Sequence, residues 1–197
     1  MVNDLININK EIKIKIDDPD KIIGKLRRKS AVLIGGVKET TTRYDSKEDK
    51  LEKSGQFIRT RTGFKNIISL KEKIDEEDEN ILARNDIEVE ISNIKNIQYI
   101  LEKIGLLPKY TMEKYRLKWI YNGKIINIDE LVFGCYIEIH GNEEDIWRIF
   151  RELELEEKYI EKGTYWDIFE RYKKENFINE NIKDIIFPQG YSYKIAQ

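Results

Sequence analysis

Glu11-Ile12-Lys13-Ile14-Lys15-Ile16 alternates charge and isoleucine without a break. A strand sends successive side chains to opposite faces, so Glu11, Lys13 and Lys15 share one face and the three isoleucines share the other. The same habit recurs along the chain. Arg59 and Arg61 pair up in this way, as do Lys71 and Lys73, and Glu88 and Glu90 flank Val89. Lys114, Arg116 and Lys118 interleave with Tyr115, Leu117 and Trp119, and Tyr136, Glu138 and His140 interleave with Ile137 and Ile139. Such alternation marks an antiparallel sheet with one polar face. Its charges are segregated by strand, basic on some and acidic on others, whereas a merely solvated face tends to mix signs. A basic wall facing an acidic one points to a polyanion and its cations.

With 197 residues, 40% of them hydrophobic, the chain can bury a substantial core, and its length suits one domain. Lys and Arg number 35 against 37 Asp and Glu, so the chain is not globally basic and non-specific DNA binding is disfavoured. Any attraction for phosphate is therefore local. The single cysteine, Cys135, cannot form an internal disulfide and reads as a packing residue. No Cys or His spacing suits zinc, and the usage fits a reducing compartment. The start MVNDLININK lacks the basic and apolar regions of a signal peptide, and no window is apolar enough to span a bilayer. A cytoplasmic protein is expected, with no membrane partner.

Eight strands are predicted near residues 5–16, 37–45, 56–62, 66–73, 86–92, 110–120, 124–130 and 134–140. Asn122-Gly123 marks a tight hairpin between two of them. Helices are predicted after the Asp18 cap with Pro19 at the first position, after Ser92 up to Gly105, from Asn142, and from Thr164. The acidic run Asp75–Glu79 reads as a solvated loop. Residues 1–175 form the expected domain, and 176–197 a tail that either covers one end of the sheet or stays loose.

Taken in order, these segments resemble the CYTH family of triphosphate tunnel enzymes, which includes class IV adenylyl cyclases, thiamine triphosphatases and inorganic tripolyphosphatases. The resemblance runs over roughly residues 8–172. Glu11-Ile12-Lys13-Ile14-Lys15 stands where the family has Glu-x-Glu-x-Lys, followed by Tyr44-Asp45, Leu51, Gly55 and Arg59-Thr60-Arg61. Leu70-Lys71, Arg84 with Glu88-Val89-Glu90, Lys114-Tyr115-Arg116, Asp129 and the segment Gly134–His140 complete the series. The resemblance implies an α+β fold: an eight-stranded antiparallel β-barrel with flanking helices, open as a tunnel whose charged interior binds a triphosphate. A small barrel holds this many ionic side chains only if its lumen stays wet and ligand-sized, because burying them dry and unpaired costs on the order of tens of kcal/mol.

Carried over residue by residue, the resemblance places Lys15, Arg59, Arg61, Lys71, Lys114 and Arg116 on the phosphates. It places Glu11, Asp129 and Glu138 on a magnesium or manganese ion, with Glu88 and Glu90 either joining them or orienting the basic side chains. Lys15 is the expected activator of the attacking water. Lys13 and His140 depart from the pattern, each replacing the second glutamate of a Glu-x-Glu pair. If the first and last strands pair, the two changes delete one cation site and bring the Lys13 charge into it.

The leading expectation is divalent-cation-dependent hydrolysis of inorganic tripolyphosphate or of a nucleoside or thiamine triphosphate. The alternatives are cyclisation of ATP to cyclic AMP and pyrophosphate, and non-catalytic binding of polyphosphate, nucleotide or a triphosphorylated RNA 5′ end.

Overall fold

The protein is described here from a computed structural model covering residues 7–76 and 78–196. Its eight strands are β1 (Asn7–Ile16), β2 (Val32–Asp45), β3 (Gln56–Thr62), β4 (Ile67–Ile74), β5 (Leu82–Glu90), β6 (Leu107–Tyr121), β7 (Lys124–Leu131) and β8 (Gly134–His140). They close into an antiparallel barrel in the order β1-β5-β4-β3-β2-β6-β7-β8. The ring is sealed between the first and last strands, where Glu11 faces His140 and Lys13 faces Glu138 across the ladder. Asn122 and Gly123 both take positive φ, 50° and 73°, which is the turn geometry their residue types favour between β6 and β7.

Among the described residues five α-helices flank the barrel: α1 (Pro19–Arg28), α2 (Lys50–Lys53), α3 (Ile94–Lys103), α4 (Glu143–Glu152) and α5 (Tyr165–Glu175). Asp18, Asn142 and Thr164 cap α1, α4 and α5 as their residue types predict, and Thr164 with Asp167 completes a capping box. The cap of α3 is Asn93 rather than Ser92, its side chain accepting from the Asn96 amide. The short α2 had no periodic signal. No helix among the described residues is long and apolar enough to cross a membrane.

The hydrophobic core lies outside the barrel. Ile12, Ile14, Ile137 and Ile139, all essentially buried, point away from the lumen and pack under Ile22, Ile23 and Leu26 of α1 and Ile146, Ile149 and Phe150 of α4. Cys135, a free thiol, packs in the same cluster. A second cluster joins Leu131, Phe133 and Tyr136 to Tyr165, Ile168 and Phe169 of α5. Because side chains alternate, a one-residue register slip would turn these isoleucines into the lumen and the charges into the core. Burial of the outward face therefore forces the charged face inward.

The tail is built onto this frame. Ile185 forms a parallel bridge with Met112 on the part of β6 that β7 does not cover, with Glu113 N donating to Ile185 O and Ile185 N to Thr111 O. Further on, Tyr191 Oη and Ile195 N donate to the two oxygens of Glu130, a carboxylate 1% exposed.

Candidate functional site

The lumen holds a cavity of about 490 Å³ to which all eight strands and the first turn of α5 contribute. Ten lysine and arginine side chains line it against five carboxylates, so it is strongly positive in a chain whose net charge is −2. Such a lumen attracts an anion that the rest of the surface does not.

The charges fall into a paired wall and an unpaired one. On the β6-β7-β8-β1 side, Arg116 is bound to Asp129 (Nε–Oδ1 2.6 Å) and to Glu138, and Lys114 to Asp129 at 3.0 Å. Burial opposes the Arg116 charge, but Asp129 and Glu138 hold its guanidinium well above the usual arginine range. Glu39 is opposed by burial and held down at about 2 by Arg116 and Lys114. On the opposite side Arg59 has one hydrogen bond, to Ser69 Oγ at 3.0 Å, and among the described residues no carboxylate lies within 4.0 Å of Arg59 or Arg84. Burial, with Arg61 beside it, lowers Arg59 to about 10. The buried Nε of Arg84 has no hydrogen-bond partner, although buried donors are nearly always satisfied. This side of the lumen therefore carries positive charge and a donor with no partner among the described residues.

Two of these cations are held in a stack. The Arg84 guanidinium lies 5.1 Å from the Phe57 ring, Arg43 lies 4.7 Å from Phe57 and 5.9 Å from Tyr110, and Tyr110 stacks on Trp166 of α5 at 4.1 Å. Cation–π contact favours this seating of both guanidiniums; Arg43 also has Glu52 Oε1 at 3.8 Å, whereas among the described residues Arg84 has no carboxylate within 4.0 Å.

Of the residues predicted from sequence, Arg59, Arg61, Lys71, Lys114 and Arg116 line the cavity with Glu11, Glu88 and Glu138. Lys71, 5% exposed, is bonded to Asp86; burial and Arg59 push its ammonium down to about 8. Arg61 contacts Glu88 at 3.4 Å. Three residues are placed elsewhere. Lys15 is exposed and does not line the cavity, because its ladder partner Tyr136 belongs to the apolar cluster under α5 and the cavity ends short of it. Glu90 is exposed and pairs with Lys65 at 2.6 Å. Asp129, 0% exposed, is occupied by Lys114, Arg116 and the Tyr165 hydroxyl at 2.9 Å.

The expected metal ligands Glu11, Asp129 and Glu138 therefore do not converge as one set. Within the lumen the groups that do converge are Glu11, Glu138 and His140, whose ligand atoms lie within 4.8 Å of one another; a second such group, Asp45, Asp49 and Glu52, lies away from the cavity. Lys13 Nζ stands between the carboxylates, 2.8 Å from Glu11 Oε1 and 3.0 Å from Glu138 Oε1. Their other oxygens face Asn9 and His140 at Glu11, and Arg116, Asn127 and His140 at Glu138. Asn127 Nδ2 lies 2.9 Å from His140 Nε2 and Asn9 Oδ1 3.2 Å from Nδ1, an arrangement satisfied by the neutral Nδ1–H tautomer. Every carboxylate oxygen thus faces a donor, and the set as folded does not fit a divalent cation.

Sequence reasoning missed Glu39, Arg43, Asp86, Asn127 and Tyr165. For Arg43 and Glu39 the signal was the alternation Glu39, Thr41, Arg43 within β2. For Tyr165 there was none, because it arrives from a helix.

A family model for the CYTH domain matches residues 7–165. Among solved structures, a conserved hypothetical protein from Pyrococcus furiosus is 20% identical, with 80% of this chain and 97% of that one covered and a TM-score of 0.69. A Vibrio parahaemolyticus protein proposed as an adenylate cyclase is 18% identical (83% and 98% covered, TM-score 0.70). A Hippeastrum protein, proposed as an adenylyl cyclase and described as having a dominant triphosphatase activity, is 16% identical (83% and 96%, TM-score 0.61). No curated protein matches the chain.

Proposed function

The chain belongs to the CYTH domain family, and from that premise we propose that its lumen binds a linear triphosphate and hydrolyses it to phosphate and the shortened chain. The observation that carries this reading is the pair Arg59 and Arg84, with no carboxylate within 4.0 Å among the described residues and with Arg43 stacked beside them, facing a wall whose cations are already paired. The triphosphatase activity described for the Hippeastrum relative supports the same choice.

In this reading Arg59 and the stacked Arg43 and Arg84 grip the phosphoryl oxygens, with Arg61 and Lys71 alongside. Phosphoryl transfer asks a protein chiefly for positioning and charge stabilisation, which fixed guanidiniums supply as charge builds on the leaving phosphate. Water attacks the terminal phosphorus, the bridging P–O bond breaks, and the leaving oxygen keeps the bonding pair. Lys71 takes the place of Lys15 as the group that accepts the proton of the water, acting from the share of the complex that holds it as the free amine; it lines the cavity, and burial and Arg59 bring it down to about 8 in the empty lumen. Lys114 and Arg116 act less directly, through Asp129 and Glu138, by keeping the paired wall rigid.

Production of phosphate, pyrophosphate and cyclic AMP from tripolyphosphate, ATP and thiamine triphosphate tests the reading. Phosphate release is expected, with kcat/KM rising through pH 8 and the rise abolished in Lys71→Met. Cyclic AMP as the main product would move the chain to the cyclases. A second reading, a polyphosphate binder without turnover, draws on Lys13 in the carboxylate group. Tight binding with no product from any of the three would select it.

A further inference from the structure

Lys13 has a place in the lumen that phosphate binding does not explain. It is 3% exposed, its Nζ bridges Glu11 Oε1 and Glu138 Oε1 at 2.8 and 3.0 Å, and the same ammonium lies 4.6 Å from the Tyr165 ring. Its contacts are thus two carboxylates and a π-face, all of which favour positive charge. Two carboxylates brought this close across a ladder repel each other unless a cation stands between them, and here the cation is covalently part of β1. Burial and Glu138 oppose the charge on Glu11, yet Lys13 holds its carboxyl down at about 2.

The same position is closed to a hard divalent ion. Magnesium needs oxygens in near-octahedral array at roughly 2.0–2.1 Å, and manganese likewise favours carboxylate, carbonyl and water oxygens in octahedral sites. An ion bound to the oxygens that Lys13 bridges would sit almost against its ammonium. Expelling Lys13 would leave a buried charge unpaired, and the outer oxygens are held by Arg116, Asn127 and Asn9.

We propose that Lys13 is a built-in counter-cation standing in the carboxylate group where a divalent metal would bind, so that the lumen takes up its polyphosphate without a resident metal ion. The polyphosphate half of this inference rests on the function proposed above, whereas the metal half does not, and the two are measured separately.

The first measurement is Mn2+ binding to metal-stripped protein without polyphosphate, by calorimetry and electron paramagnetic resonance. In a shared Asp49→Asn background, which breaks up the separate Asp45, Asp49 and Glu52 group, the protein with Lys13 should show no saturable site below millimolar Mn2+, and Lys13→Glu, which exchanges the ammonium for an oxygen ligand, should gain one site at least about tenfold tighter. Equal Mn2+ affinities in the two proteins overturn the proposal. If Lys13→Glu does not fold, Lys13→Met in the same background serves instead: Mn2+ should raise its melting temperature and leave that of the protein with Lys13 unchanged, and equal responses again overturn the idea. The second measurement is inorganic tripolyphosphate binding in EDTA. Binding in chelator is expected; binding that vanishes in EDTA and returns with magnesium overturns metal-free uptake. If tripolyphosphate binds under no condition, the polyphosphate reading falls, and the Mn2+ comparison still decides what Lys13 replaces.

Discussion

Arg59 and Arg116 are both buried arginines in one lumen, yet their surroundings predict opposite behaviour. Arg116 satisfies Asp129 and Glu138, so Arg116→Met leaves two buried carboxylates short of a partner, a loss on the order of 3–5 kcal/mol. Arg59 has a serine hydroxyl and a neighbouring guanidinium that repels it. Arg59→Met should therefore leave the ligand-free protein as stable as before, or more so. The same substitution removes charge-assisted bonds worth about 1.5–3 kcal/mol to the anion, so tripolyphosphate affinity should fall roughly ten- to a hundredfold. Melting temperature and calorimetric titration of the two variants check this. A large destabilisation by Arg59→Met without ligand would mean that the unpaired wall is not held open for an anion.

At the scale of the element, the alternation in β1, β6 and β8 was legible because one face of each strand packs into the apolar core and the other carries the ion-paired charges of the lumen. What the sequence left open was where each strand begins and where the lumen ends. β5 starts at Leu82, ahead of the expected 86, so its lumen-facing residues are Arg84, Asp86 and Glu88, and Glu90 falls in the solvent. Lys15 continues the alternation of β1 past the point where Tyr165 of α5 packs against Tyr136 of β8. Neither limit is local to the strand concerned; both are set by what packs across the barrel. The tail was illegible for a similar reason, since its contacts are single residues meeting a bare edge. Those contacts predict that Tyr191→Phe, which strips Glu130 of its 2.8 Å hydroxyl donor, costs about 1–3 kcal/mol, measured by denaturant unfolding. An unchanged midpoint would mean that the tail does not hold Glu130 in solution.

The whole molecule carries its polar charges inside and its apolar core outside, and its stability should report the protonation of the lumen. Glu11 and Glu39 are held at about 2 in the fold against a usual value near 4.5. For a carboxylate with a lowered folded pKa, the stabilisation is complete above the unfolded value and is lost as pH falls through the folded one. Stability should thus decline between about pH 4.5 and 2, by a few kcal/mol for the two together. On the alkaline side Lys71 has the opposite sign. Its folded value of about 8 lies below the unfolded 10.5, so between these limits the unfolded chain binds the extra proton and stability rises with pH. A bound polyanion favours the ammonium and removes that rise. Melting curves from pH 3 to pH 10, with and without tripolyphosphate, should therefore differ most near neutrality, where the empty cage still carries its unneutralised cations, and converge towards pH 10. At a hundred times its Kd the ligand should add about 2.7 kcal/mol. A ligand effect independent of pH would place the polyphosphate away from Lys71, and no effect at millimolar concentration would take it out of the lumen altogether.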